Sequence, residues 1–176
     1  TTSFDGVTGM QVLEGTVRPT DPVALAMGGA ALVPEDATNM SFGLTTSMLS
    51  GLNLSFDYYQ IDIAKKIIKS RALAVPEGVV TEYTELAFYS NALDTKTSGF
   101  DLVANYTIGS TNVSLALNHN ETEVTGQYQV GGQDPVSQGT MDNLELNLPK
   151  DRLVSTVTHT FSDALSAMVR INYYGE

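Results

Sequence analysis

The stretch NALDTKTSGFDLVANYTI, residues 91–108, decides the fold. From Phe100 onward, Phe100, Leu102, Ala104 and Tyr106 fall on one side of a period-two pattern, and Asp101, Val103, Asn105 and Thr107 fall on the other. Successive side chains of a strand point to opposite faces, so the run reads as one long strand with an apolar face and a polar one. One face suits lipid and the other water, which points to the wall of a membrane barrel.

The same alternation recurs along the chain. Leu52, Leu54, Phe56 and Tyr58 interleave with Asn53, Ser55 and Asp57, and Val113, Leu115 and Leu117 interleave with Ser114, Ala116 and Asn118. Leu153, Val157 and Phe161 oppose Thr156, Thr158 and Thr160. The last segment sets Leu165, Ala167, Val169, Ile171 and Tyr173 against Ser166, Met168, Arg170, Asn172 and Tyr174. Alternating segments of about ten residues separated by turn formers are the signature of transmembrane β-strands.

Composition narrows the classes. The 176 residues can form one domain with a sizeable core. With 42% hydrophobic residues and a mean hydropathy of −0.03, no run reaches the roughly 18 consecutive apolar residues of a transmembrane helix. A membrane contact must therefore run through strands or a surface. Nine Lys and Arg residues and a net charge of −11 argue against nucleic acid, whose phosphates need a basic surface. The acidic pairs, such as Glu35 with Asp36 and Glu121 with Glu123, read as solvated surface. The absence of cysteine rules out disulfides and thiolate chemistry. The chain opens in Thr-rich polar sequence, without initiator Met or basic apolar leader, so its true start is expected elsewhere.

Connection lengths alternate. Leu49-Ser50-Gly51, Gly109-Ser110-Thr111-Asn112 and Ser162-Asp163-Ala164 should each close a tight hairpin. The other joins are long, near residues 65–84 and 127–147, and residues 1–39, with Pro19, Pro22 and Pro34, are expected to be mostly loop. Tight turns at one end and long loops at the other are what outer-membrane barrels show. The expected fold is all-β: an antiparallel up-and-down meander of about six strands, a partial wall of a large transmembrane β-barrel. Within the long loop IAKKIIKSRAL, the helical spacing of Ile63, Ile67 and Arg71 predicts a helical turn. Tyr58 with Tyr59, Phe88 with Tyr89, and Tyr173 with Tyr174 fall near upper strand ends, and Tyr106 and Phe161 near lower ones, as interfacial aromatic girdles would.

These residues resemble the TonB-dependent outer-membrane receptors. LNLSFDYYQIDIAKKI (residues 52–67) looks like an ascending strand of that family, and FYSNALDTKTSGFDLVANY (88–106) like the following descending strand, with Asn91, Gly99 and Asp101 as its characteristic residues. PEDATNMSFGL (34–44), LPKDRLVSTVTHTF (148–161) and RINYYGE (170–176) resemble neighbouring strands. The resemblance implies residues 1–176 to be part of a barrel of about 22 strands, without the family's N-terminal plug. It implies a place in the bacterial outer membrane and energised uptake of a scarce nutrient such as a ferric siderophore, cobalamin or an oligosaccharide. The implied partners are outer-membrane lipid, the transported small molecule, and a TonB-type energy-transducing protein engaged through an N-terminal region. Asp57, Asp101, Asn105, Asn118, Arg170 and Asn172 would line a wet interior, and the long loops would meet substrate.

Other chemistry is weak. His119 and His159 lack the close spacing of metal ligands and read as interfacial or as packed on a neighbouring strand. Glu121 and Glu123 lack the pocket that a catalytic acid pair needs. Asn39, Asn53, Asn105, Asn112 and Asn120 match the glycosylation acceptor pattern by chance in Asn- and Ser/Thr-rich strands. Gly28-Gly29 and Gly131-Gly132 lack the rest of a phosphate loop and read as flexible. No catalytic, cofactor-binding, metal-binding or substrate-binding residue is assigned, no cofactor is expected, and the protein is not expected to be an enzyme. The rival is a soluble or surface-displayed β-sandwich, an adhesin or carbohydrate-binding module, with its apolar faces buried together.

Overall fold

A computed structural model describes residues 2–4, 11–47 and 49–175. In chain order the elements are β1 (Thr2–Phe4), β2 (Gln11–Thr16), α1 (Pro22–Ala26), β3 (Asp36–Thr46), β4 (Leu52–Lys69), β5 (Leu73–Ala74) and β6 (Glu85–Ala87). They continue with β7 (Tyr89–Ile108), β8 (Thr111–Gln127), α2 (Gln138–Leu146), β9 (Asp151–Ser162) and β10 (Leu165–Gly175). Six strands form one antiparallel sheet in the order β10-β9-β8-β7-β4-β3. Each of the six after β3 is hydrogen-bonded to the one before it in chain order, which is the expected meander. β3 and β10 are its open edges.

The three short turns close hairpins where expected. At two of them the chain needs a left-handed residue and has glycine, Gly51 (φ 80°) and Gly109 (φ 56°). A Cβ on Gly51 would also strike the Thr107 carbonyl, to whose residue it is tied by Thr107 N donating to Gly51 O at 2.8 Å. The strands are longer than the alternating segments suggested. β7, with 20 residues, extends about 66 Å at ~3.3 Å per residue, well beyond the 9–11 residues that cross a bilayer.

The chain divides into two compact units, Thr1–Ala37 with Ile63–Thr95 and Val124–Asn143, and Thr38–Asp62 with Lys96–Glu123 and Leu144–Glu176. The second unit is sheet wall. The first is built from segments expected to be loops, and it has a core of its own. A second sheet, in the order β1-β2-β6-β5, includes a parallel pairing of β2 with β6, Glu14 opposite Glu85 and Thr16 opposite Ala87. Ala24, Met27, Leu73, Leu86, Phe88 and Val130 are buried together there. α1 starts at Pro22, whose missing N–H costs nothing in a first turn, and the Asp21 carboxylate caps it by accepting from Val23 N at 3.0 Å.

Three expectations are corrected here. IAKKIIKSRAL does not open with a helical turn, because β4 continues through Lys69. The misleading spacing arises at Lys65, whose left-handed φ of 59° breaks the pleat and shifts the alternation by one residue. Phe88 is not in an aromatic girdle; it is fully buried in the core of the first unit. The two glycine pairs are not merely flexible. Gly28 (φ 89°) and Gly131 (φ 56°) cross back to back, and a Cβ on Gly28 would lie 2.6 Å from Gly131 N.

Candidate functional site

Strand register sorts the wall's side chains into rows. On one face the rows are Val113–Val157–Val169, Leu115–Ser155–Ile171 and Leu117–Leu153–Tyr173. Phe100 joins this face by stacking on His119 (centroids 5.4 Å apart) and on Phe56 (6.0 Å). The apolar side chains are not covered: Val169 and Ile171 are each 62% exposed and Phe42 is 64% exposed. A sandwich would bury such residues under a second sheet.

The apolar belt has polar borders. At one end His119 Nδ1 lies 2.7 Å from Asp151 Oδ1, its cross-strand partner, and Lys150 pairs with Glu121. At the other, His159 Nδ1 lies 2.7 Å from Thr111 Oγ1, again directly opposite, with Phe161 edge-on to the ring. The two bordering rows are eight residues apart on β8, about 27 Å along a strand. At the usual barrel tilt of about 40° that spans roughly 20 Å of depth, close to the ~25 Å apolar band of an outer-membrane barrel. The histidines therefore mark the edges of the belt. Among the described residues no group of three or more His, Cys, Asp or Glu side chains could hold a metal ion.

The opposite face is polar. Asn118 Nδ2 donates to Asp101 Oδ1 at 2.8 Å, and Asn118 is the direct partner of Arg152, which in turn pairs with Tyr174. Asp101, Asn118, Arg152 and Tyr174 thus form one row across β7 to β10. The Arg152 guanidinium lies over the Tyr174 ring, 5.5 Å from its centroid. Two rows further along, Arg170 Nε donates to Thr156 Oγ1 at 3.2 Å. Toward β3, Ser55 Oγ donates to Asp57 Oδ2 at 3.0 Å. Two shallow cavities open on this face, one of about 510 Å³ edged by Thr45, Asn53, Ser55 and Asn105, and one of about 360 Å³ edged by Asp101, Asn118 and Arg152. Asp57, Asp101, Asn118, Arg170 and the other positions singled out for the wet side share this parity. Arg152 and Tyr174 were not singled out, although Arg152 has the same parity as Thr156 on β9.

In the first unit, side chains stand in for missing ladder partners. Lys65 N donates to Asp94 Oδ1 at 2.9 Å, and Lys65 O accepts from Asn91 Nδ2 at 2.6 Å. Asn91 also bonds both Val33 N and Val33 O, each at 2.9 Å. Glu35, expected to be solvated, accepts from Ile67 N at 2.7 Å. The irregular residues of two segments are thereby satisfied without regular pairing. Tyr128 donates a short hydrogen bond to Asp94, which raises the phenol above its usual range. On β7, Gly99 lies under the Tyr59 ring and against the His119 carbonyl, so no side chain fits there.

A six-stranded meander with a belted apolar face and a polar face is the geometry of an outer-membrane barrel wall. The sequence profile of the family described as TonB dependent receptor-like, beta-barrel matches residues 3–176. The chain belongs to that family. No curated protein and no solved structure matches it. TonB-dependent receptors are outer-membrane transporters and receptors. No helix among the described residues is long and apolar enough to cross a membrane; the strands of such a barrel do so instead.

Proposed function

We propose that this chain is part of the wall of a TonB-dependent transporter that carries a scarce nutrient, such as a ferric siderophore, cobalamin or an oligosaccharide, across the outer membrane. Transport would be energised by a TonB-type partner engaged outside these residues. The observation that carries the reading is the two-faced sheet: three apolar rows between polar borders on one side, and an Asp, Asn, Arg and Tyr row on the other. Lipid faces and water faces of that kind coexist only in a wall that separates the two. The segments around residues 1–39, 65–84 and 127–147 belong to the cell exterior in this reading and meet the solute first. They are well suited to it, because a packed core under Phe88 and Leu86 holds them in one arrangement.

The test is uptake. Deleting the gene for the intact receptor should abolish accumulation of one labelled nutrient from a panel of ferric siderophores, cobalamin and oligosaccharides, and deleting the TonB-type partner should have the same effect. Uptake of every nutrient at wild-type rates in the receptor deletion would sink the proposal.

A further inference from the structure

The three segments of the first unit hold one another in a closed ring. The hairpin around residues 130–133 lies against β5: Gln133 Nε2 donates to Ala74 O at 3.0 Å, and Ala74 N donates to Gln133 Oε1 at 3.2 Å. The side-chain amide thus acts as a rung of a β-ladder. Beside it, Arg71 N donates to Pro135 O at 2.7 Å. β5 is paired with β6, Leu73 opposite Leu86, and β6 with β2, Glu85 opposite Glu14. Val17 N, just after β2, donates to Ala87 O at 3.1 Å. From there the chain enters α1, and Gly28, just past the helix end, crosses Gly131, which brings the ring back to the hairpin.

The core fills this ring, and each segment supplies part of it. Ala24 and Met27 come from Thr1–Ala37, Leu73, Leu86 and Phe88 from Ile63–Thr95, and Val130 from Val124–Asn143. Met27, Leu73, Leu86 and Phe88 are at most 2% exposed. A lid needs a hinge and one side that comes away freely. Among the described residues none of the three segments has such a side, because each is bonded to or crossed by both of the others. The departure of any one would open the shared core to water. Cores of that kind pack or come apart as a whole in preference to deforming continuously.

We propose that the first unit is one cooperative gate body, whose three segments open and close together and none of which works as a lid by itself. A solute that engages one segment thereby acts on the other two. The place of this body at the cell exterior rests on the transport reading; its cooperativity does not, and the experiment addresses the cooperativity alone.

The readout is hydrogen exchange in the intact, membrane-embedded receptor, followed by mass spectrometry on peptides that contain the amides of Val17, Arg71 and Val130, one from each segment. Gln133→Ala removes the rung on Ala74. It should speed exchange on the order of tenfold at all three amides, including Val17 in the distant segment. Glu14→Cys with Glu85→Cys works in the opposite direction. Neighbouring strands stand about 4.8 Å apart, within the span of a disulfide, and residues 1–176 contain no other thiol. Oxidation should slow exchange at least about tenfold at Val130 as well as at Val17 and Arg71, and a reductant should reverse the effect in the same molecules. The β9–β10 amides should keep their rates in every form, which verifies that the wall is still folded. Acceleration by Gln133→Ala that leaves Val17 unchanged, or slowing by the disulfide that leaves Val130 unchanged, means separately hinged loops and overturns the proposal. A change that extends to the β9–β10 amides means global unfolding in place of a gate, and overturns it too. Failure of the transport reading shows separately, in the uptake panel.

Discussion

Consider arginine placed at two adjacent positions of β10, Val169→Arg and Met168→Arg. Their side chains are almost equally exposed, 62% and 61%, and they sit at the same depth, so exposure alone predicts equal consequences. The register predicts otherwise. Val169 shares a row with Val113 and Val157 on the belted face, whereas Met168 pairs with Thr158 on the polar face. Along β10 the apolar set runs from Leu165 to Tyr173, about 27 Å of strand, and Val169 is its midpoint. With a tilt of about 40° that places it roughly 10 Å from either border, near the middle of the bilayer. A guanidinium there costs about 2–4 kcal/mol on the lipid side of a barrel, whereas an interior substitution changes stability by about 0.5 kcal/mol or less. The intact receptor, refolded into liposomes, would be titrated with guanidinium chloride and followed by the gel-mobility difference between folded and unfolded barrel. Val169→Arg should lower the folding equilibrium constant by at least about tenfold relative to Met168→Arg. Equal losses for the two variants, or a larger loss for Met168→Arg, would mean that the faces have been assigned backwards or that the sheet is not a membrane wall.

Other outcomes follow from local geometry. Gly99→Val should destabilise the receptor by about 1–3 kcal/mol, and Tyr59→Ala in the same molecule should restore only part of it, since the His119 carbonyl is the second obstacle and cannot move aside; melting temperatures of the single and double variants check this. Asn91→Ala removes partners of Lys65 and Val33 together and should cost about 1–3 kcal/mol, read locally as faster hydrogen exchange of residues near Val33 and Lys65 with the β9–β10 amides unchanged. The Tyr128 phenol is raised by the bond to Asp94, so the folded state favours the neutral form. Its contribution is fully present below the ordinary tyrosine value near 10 and is lost as pH climbs through the raised folded value. Tyr128→Phe should therefore flatten the alkaline limb of the stability profile; an identical limb in the variant would dismiss the contact.

The wall was legible because its code is local. Period-two alternation in residues 52–58, 100–107, 113–118 and 165–174 specifies which face each side chain takes, and hairpin turns such as Gly109-Ser110 specify the neighbour. The upper half of β4 was misread because the alternation changes phase at Lys65, so that Ile63, Ile67 and Arg71 imitate a helical stripe. The first unit was invisible for another reason. Its core draws on Ala24 and Met27, Leu73, Leu86 and Phe88, and Val130, segments that are short, far apart and without a shared period. Pairings distant in sequence, such as Leu73 with Leu86 and the crossing of Gly28 with Gly131, bring them together. The histidine partners were hidden in the same way: His119 meets Asp151 across a sheet register, 32 positions away, where local spacing cannot reveal it. Arg152 was overlooked although its parity, that of Thr156 on the same strand, was readable.

The parallel pairing of β2 with β6 also has a kinetic consequence. Glu14 and Glu85 are 85 − 14 = 71 positions apart, and closing a flexible loop of that length costs about 4 kcal/mol in chain entropy. Each hairpin already formed between them shortens the effective loop and lowers that cost. The three-residue ladder is thus a clasp that shuts after the strands it encloses, and contacts made last are the first to open. Brief protease exposure of the intact receptor would nick the chain around this clasp long before it reached the hairpins of the wall.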